Sequence, residues 1–162
     1  MYHGHNCCHG PFVGIHCACV IASGADIMEP ASEATRVLLV DDHALMRKGV
    51  RSVLEAHSDL YVIGEASNGV EAVQYARTLQ PHVIIMDISM PYMDGVQATR
   101  LIKAEHPHIM IIGLSMIEAP TMRDALLAAG AIGYVHKDQA AEDLHLTICQ
   151  SLRGTNSTWR AR

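Results

Sequence analysis

No stretch of this 162-residue chain is long and apolar enough to read as a membrane-spanning helix. Basic residues are scarce: twelve Lys and Arg face seventeen Asp and Glu, for a formal charge of −5. With no basic stripe, direct binding of nucleic acid has no electrostatic support. Residues 1–30 hold no Lys or Arg at all, so the apolar run from Phe12 to Ala22 lacks the basic leader of a secretory signal. The five Cys are odd in number, with Cys149 alone near the far end, which does not read as a disulfide framework. A reducing cytoplasm is the expected setting. Only 25 residues follow Lys137, enough for one helix and a short tail.

What is present is a repeated strand-then-helix pattern. Strands are expected at Arg36–Val40, Leu60–Glu65, His82–Met86, Ile109–Leu114 and Ile132–Val135. Helices are expected at Leu45–Ala56, Val70–Leu79, Val96–Glu105, Pro120–Ala129 and Ala140–Leu152. The Ser67-Asn68-Gly69 turn gives a helix start, Gly130 gives a helix stop, and Met122, Ala125, Leu126 and Ala129 recur at helical spacing. Apolar runs such as "VLLV" and "VIIM" are continuous rather than alternating, as in parallel strands buried on both faces. Five such alternations imply an α/β, doubly wound parallel sheet with right-handed crossovers.

The chemistry collects where these strands end. "VLLVDDH" ends on Asp41 and Asp42, "HVIIMDIS" on Asp87, "IMIIGLS" on Ser115 and "IGYVHKD" on Lys137. Ligands of open parallel sheets bind beyond the carboxyl ends of the strands, so these groups would share one pocket. Two carboxylates about 4 Å apart repel by roughly 4 kcal/mol at an effective dielectric near 20, so three require a cation. Mg²⁺ suits an oxygen-only set and keeps waters for a phosphate. A carboxylate nucleophile, Mg²⁺ and a lysine make a phosphoryl-acceptor site. Taken alone, Asp41 and Asp42 fit a polar strand end capping the next helix, and Ser115 fits a loop hydroxyl. Asp87 and Lys137 at matching strand ends favour the shared pocket. His43, beside the acids, reads as a helix-start residue on the rim.

At these residues, from about Thr35 to Arg153, the chain resembles the receiver domain of two-component response regulators. The stretches "VDDHALMRKGVRSVLE" and "GYVHKD" are similar to the LuxR-type branch, and "DISMPYMDG" carries the Pro91 and Gly95 of the turn after the acceptor. The resemblance implies a flavodoxin-like fold with strand order 2-1-3-4-5. It implies Asp87 as the phosphoacceptor, and Asp41, Asp42, Asp87 and the Ser89 carbonyl as Mg²⁺ ligands. Lys137 would pair with the phosphoryl group, with Ser115 as the switch hydroxyl and Tyr134 as the switch aromatic. A sensor histidine kinase, a phosphotransfer protein or a small donor such as acetyl phosphate would supply the phosphoryl group. The switched surface would be the face of the fourth helix, fifth strand and fifth helix, acting on a transcriptional output partner or through a homodimer. The chain would turn over no substrate beyond slow self-dephosphorylation, whose rate Ser89 and Ile117 flank. Two departures stand out: Asp138 follows Lys137 where many receivers have proline, and Met116 follows Ser115 where a smaller residue is common, narrowing access to the site.

The domain reading is a His/Cys-rich extension over residues 1–34, a receiver over 35–153 and a tail over 154–162. The extension holds His3, His5, Cys7, Cys8, His9, His16, Cys17 and Cys19, ligands suited to Zn²⁺ or Cu⁺ but spaced like no standard finger. The helix-turn-helix usual in the LuxR-type branch is not expected within the 25 residues after Lys137, as for a stand-alone receiver or a receiver cut from a longer regulator. Three other functions compete. A haloacid-dehalogenase-type phosphatase also uses an aspartate at a parallel strand end, but its acids are separated by one residue and here they are adjacent. An FMN carrier would need a Ser/Thr/Gly-rich loop where "DDHALMR" stands. A receiver serving only as a docking surface would not need the full set of acids, hydroxyl and lysine.

Overall fold

The computed structural model describes residues 34–116 and 120–154. The His/Cys tract of residues 3–19, Ile117 and the tail beyond Gly154 lie outside the described residues. Five strands and five helices alternate: β1 (Thr35–Val40), α1 (Ala44–Glu55), β2 (Leu60–Ala66), α2 (Gly69–Leu79), β3 (Val83–Asp87), α3 (Gly95–Glu105), β4 (Met110–Ser115), α4 (Pro120–Ala128), β5 (Gly133–His136) and α5 (Ala140–Gly154). All strand pairs are parallel, in the order β2-β1-β3-β4-β5. The strand order and layering match the expectation.

The continuous apolar runs are explained by two cores, one on each face of the sheet. Val37, Leu39, Val83, Ile85, Ile112 and Leu114 point toward Val50 and Leu54 of α1 and Leu144 and Ile148 of α5. Leu38, Val40, Ile84, Met86 and Ile111 point the other way, toward Ala72 and Ala76 of α2, Ala98 and Ile102 of α3 and Leu126 of α4. Each large aliphatic side chain so buried contributes about 1.5–3 kcal/mol relative to exposure. On α4 only Leu126 is buried, and Met122 lies at the surface despite its helical spacing. The reason is Gly113 of β4: a Cβ there would collide with Leu126 Cδ2, so the C-terminal half of α4 seats directly on the strand backbone.

Apart from β1, which ends at Val40 as expected, each strand ends one residue further than the apolar pattern predicts. Asp87 pairs with Leu114 and Ser115 pairs with His136, so both polar residues are ladder members that close β3 and β4. Asn68 caps α2 by accepting from the Glu71 amide at 2.9 Å, while the Glu71 carboxylate accepts from the Ser67 amide at 2.8 Å. That reciprocal arrangement satisfies helix-start donors from both sides. Gly130 stands at φ 106° just past α4, as a left-handed helix stop.

Candidate functional site

Parallel strands carry all their carboxyl ends to one edge of the sheet, and there the polar residues meet. Asp41, Asp87 and Lys137 are each buried, at 3%, 3% and 6% exposure, which makes their pairing obligatory. Lys137 Nζ lies 2.6 Å from Asp41 Oδ2 and 2.7 Å from Asp87 Oδ2, a single ammonium between two carboxylates. The Ser89 amide donates to Asp87 Oδ1 at 3.3 Å. The His43 amide donates to Asp41 Oδ1 at 2.7 Å, and its exposed ring brings Nδ1 to 2.8 Å from Asp42 Oδ1. Ser115, also buried, is beside Lys137's neighbour His136 through the β4–β5 register.

The loop after Asp87 is held by another glycine that the fold requires. A Cβ at Gly95 would run into the Asp87 carbonyl, and the Gly95 amide donates to the Ile88 carbonyl at 2.9 Å. Asp94 caps α3 by accepting from the Gln97 amide at 2.7 Å. The acceptor loop is thereby closed against its own strand.

Charge is unbalanced at this edge. Burial pushes the Asp87 carboxyl above the usual carboxylate range, the nearby Asp41 adds to this, and Lys137 only partly opposes it. For Lys137, burial pulls the ammonium down, but its close contacts with the Asp41 and Asp87 carboxylates together outweigh it and the net direction is up. Asp41 Oδ2 and Asp42 Oδ1 are sealed from solvent and, among the described residues, accept no hydrogen bond of good angle, although Lys137 Nζ and the His43 ring nitrogen approach them. One ligand atom from each of Asp41, Asp42, His43 and Asp87 lies within 4.8 Å of all the others. Undersatisfied carboxylate oxygens clustered this closely fit a hard divalent cation such as Mg²⁺.

Ser89 contributes its amide and is otherwise exposed. Tyr134 is half-buried opposite Gly113 and packs on the α2–α3–α4 side of the sheet. Met116 is 55% exposed, and its carbonyl meets His136 Nε2 at 2.9 Å. Asp138, in the proline position, sits on a 3₁₀ turn over Lys137–Gln139 that leads into α5. Arg47 went unforeseen. Its Nη1 donates to the Asp41 carbonyl at 2.6 Å and its Nε to Glu65 at 3.0 Å, clamping the end of β1 to that of β2. A lone arginine near a helix start carries no such signal in sequence.

A doubly wound parallel sheet that gathers an acid cluster and a lysine at the carboxyl edge of its strands carries a candidate site where open α/β folds bind their ligands. The chain belongs to the response regulator receiver domain family, whose model matches residues 37–149. It is 34% identical over 122 residues to the nitrate/nitrite response regulator protein NarL of Escherichia coli (strain K12), covering 75% of this chain and 56% of NarL. A 59-residue segment is 51% identical to protein-glutamate methylesterase/protein-glutamine glutaminase 1 of Methanosarcina acetivorans, covering 36% of this chain and 17% of that protein. Among solved structures, a LuxR-family two-component response regulator from Aurantimonas sp. SI85-9A1 superposes with TM-score 0.72 at 31% identity, covering 75% of this chain and 86% of that one. The chain thus spans about half the length of NarL and much less of the methylesterase. Among the described residues, no helix is long and apolar enough to cross a membrane.

Proposed function

We propose that this chain is a phosphorylation-driven switch in which Asp87 accepts a phosphoryl group from a histidine kinase, a phosphotransfer protein or acetyl phosphate. The observation that carries this reading is the buried Lys137 ammonium held between Asp41 and Asp87. An Asp87 carboxylate oxygen forms the new bond to phosphorus as the bond to the donor's imidazole nitrogen or acetate oxygen breaks, and the leaving group keeps that electron pair. Asp41, Asp42, Asp87 and the Ser89 carbonyl would hold Mg²⁺. When bound, that ion supplies neutralising charge for the phosphoryl oxygens. Lys137, already beside Asp87, donates to a phosphoryl oxygen, and Ser115 donates to another.

The switch follows from these contacts. To move a 1:99 equilibrium to 99:1, phosphorylation must favour the active state by about 5.5 kcal/mol. Hydrogen bonds to charged groups contribute about 1.5–3 kcal/mol each, so a new Ser115 bond, with the strengthening of the contact that Lys137 already makes to Asp87, supplies much of that. Tyr134, packed at the edge of β5, follows Ser115 inward. The surface remodelled is a groove of about 550 Å³ between α4, β5 and α5, lined by Pro120, Arg123, Tyr134, His136, Asp143 and Leu146 among others. An output partner, transcriptional as in the LuxR-type branch, or a second copy would read it. The chain acts in the cytoplasm and turns over no substrate beyond the slow hydrolysis of its own acyl phosphate.

The test is intact mass after incubation with acetyl phosphate. A gain of one phosphoryl group that requires Mg²⁺ and disappears in Asp87→Asn supports the reading. A gain that persists in Asp87→Asn removes the acceptor assignment. No gain from acetyl phosphate, coupled with no binding of beryllofluoride, would leave a phosphorylation-independent docking domain.

A further inference from the structure

A second cluster of ligating side chains lies at the opposite pole of the sheet from Asp87. The turn between α1 and β2 carries His57 and Asp59, while α5 carries His145 and Cys149 one helical turn apart. Because β1 and β2 are parallel, this turn meets the starts of both strands, and the Thr35 amide donates to the Asp59 carbonyl at 2.8 Å. The acids lie at the strands' other ends, about 20 Å away for a six-residue strand. The phosphoacceptor chemistry makes no use of these four residues.

Their geometry is that of a small coordination shell. Asp59 Oδ2 is 3.2 Å from His145 Nε2, Cys149 Sγ is 3.4 Å from His145 Nε2, and Cys149 Sγ is 3.9 Å from Asp59 Oδ2. A tetrahedral zinc ion with nitrogen and oxygen at about 2.0–2.1 Å and sulfur at about 2.3 Å separates its ligands by roughly 3.3–3.6 Å. The three observed edges bracket that value. His57 adds a ring nitrogen within 4.8 Å of the Asp59 and His145 ligand atoms, and its ring stacks on His145 with centroids 3.7 Å apart. The backbone beneath is closed: the His57 amide donates to the Leu54 carbonyl at 3.0 Å and the Leu60 amide to the His57 carbonyl at 3.1 Å. Positions i and i+4 on α5 place His145 and Cys149 on one face without any rearrangement. A plain His145–Asp59 ion pair needs neither a thiol at 3.4 Å nor a second imidazole.

We propose that Asp59, His145 and Cys149, with His57 turned out of its stack as the fourth ligand, bind a borderline-soft divalent cation of the Zn²⁺ type. The mixed nitrogen, sulfur and oxygen set selects such an ion over Mg²⁺. A bound ion ties α5 to the α1–β2 turn and so fixes from behind the helix that forms one wall of the groove. The site is independent of the phosphoacceptor reading, and either can fail alone.

The test uses the full chain with Cys7, Cys8, Cys17 and Cys19 all changed to Ser, which leaves Cys149 as the sole thiol. Titration with Co²⁺ should give a near-ultraviolet thiolate-to-cobalt band that saturates at one equivalent and is abolished by added Zn²⁺. Cys149→Ser should lose the band, and His145→Gln and Asp59→Asn should each weaken binding by about tenfold or more. Circular dichroism confirms that each variant is folded. Absence of the band overturns the proposal. A band whose affinity is unchanged in both His145→Gln and Asp59→Asn also overturns it, because the thiol would then be acting alone.

Discussion

Replacing Lys137 by Met keeps the length of the apolar stem and deletes the one ammonium that separates Asp41 from Asp87. The nitrogen contacts both carboxylates, at 2.6 and 2.7 Å, in a region almost closed to solvent. Breaking a buried ion pair by removing one partner typically costs about 3–5 kcal/mol, because the charge left behind is uncompensated. Here two carboxylates are left facing one another, so the upper half of that range is expected. Urea unfolding followed by circular dichroism in the presence of a chelator should therefore show a loss of about 4 kcal/mol. Repeating the substitution in an Asp87→Asn background removes one of the two lysine partners beforehand. The loss should then shrink by about 1.5–3 kcal/mol, the strength of one charge-assisted hydrogen bond. A Lys137→Met protein within about 1 kcal/mol of the parent, well below the buried-pair range, would refute the bridging arrangement.

Three further outcomes follow from other parts of the fold. Gly113→Ala places a Cβ against Leu126 Cδ2. Overpacking of this kind costs about 1–3 kcal/mol, measured as a lower urea midpoint at unchanged slope. Gln80 caps α2 in the left-handed conformation at φ 46°, so Gln80→Gly should raise stability by about 0.5–1 kcal/mol, and a loss would contradict the assigned helix end. Glu65 is held below the usual carboxylate range by hydrogen bonds from Arg51 and then Arg47. A carboxylate depressed in the folded state stabilises above its unfolded-state pKa and loses that effect as pH falls through the folded one. The parent should thus exceed Glu65→Gln by about 1 kcal/mol at neutral pH and converge with it in acid, and a gap that widens on acidification would reverse the sign.

The sheet was legible mainly through β1, β3 and β4, which are buried along nearly their whole length and leave uninterrupted apolar runs between polar turns, whereas the edge strands β2 and β5 are partly exposed. Its ends were less so. Asp87 and Ser115 were placed just past the apolar strands because they are polar, yet they pair with Leu114 and His136 in the ladder. Met122 carried a helical period that the structure does not bury, because α4 touches the sheet mainly through Leu126 over Gly113. At the site, residue types at strand ends brought Asp41, Asp42, Asp87 and Lys137 together on paper. The sequence could not say that Lys137 contacts Asp41 as closely as Asp87, since that depends on how the 3₁₀ turn directs the side chain. Arg47 was invisible for a similar reason, its partners being a backbone carbonyl and a carboxylate on β2, 18 residues away. The cluster of His57, Asp59, His145 and Cys149 joins segments 86 and 90 residues apart, and no local spacing announces it.

The central claim is that Asp87 itself carries the phosphoryl group, and chemical mapping tests it most directly. Borohydride reduces an aspartyl phosphate to homoserine, which a peptide mass spectrum can place on one residue. After treatment with acetyl phosphate and Mg²⁺, homoserine should be found at position 87, and omission of Mg²⁺ should abolish it. Reduction at Asp41 or Asp42 instead, or labelling that resists borohydride, would contradict the account.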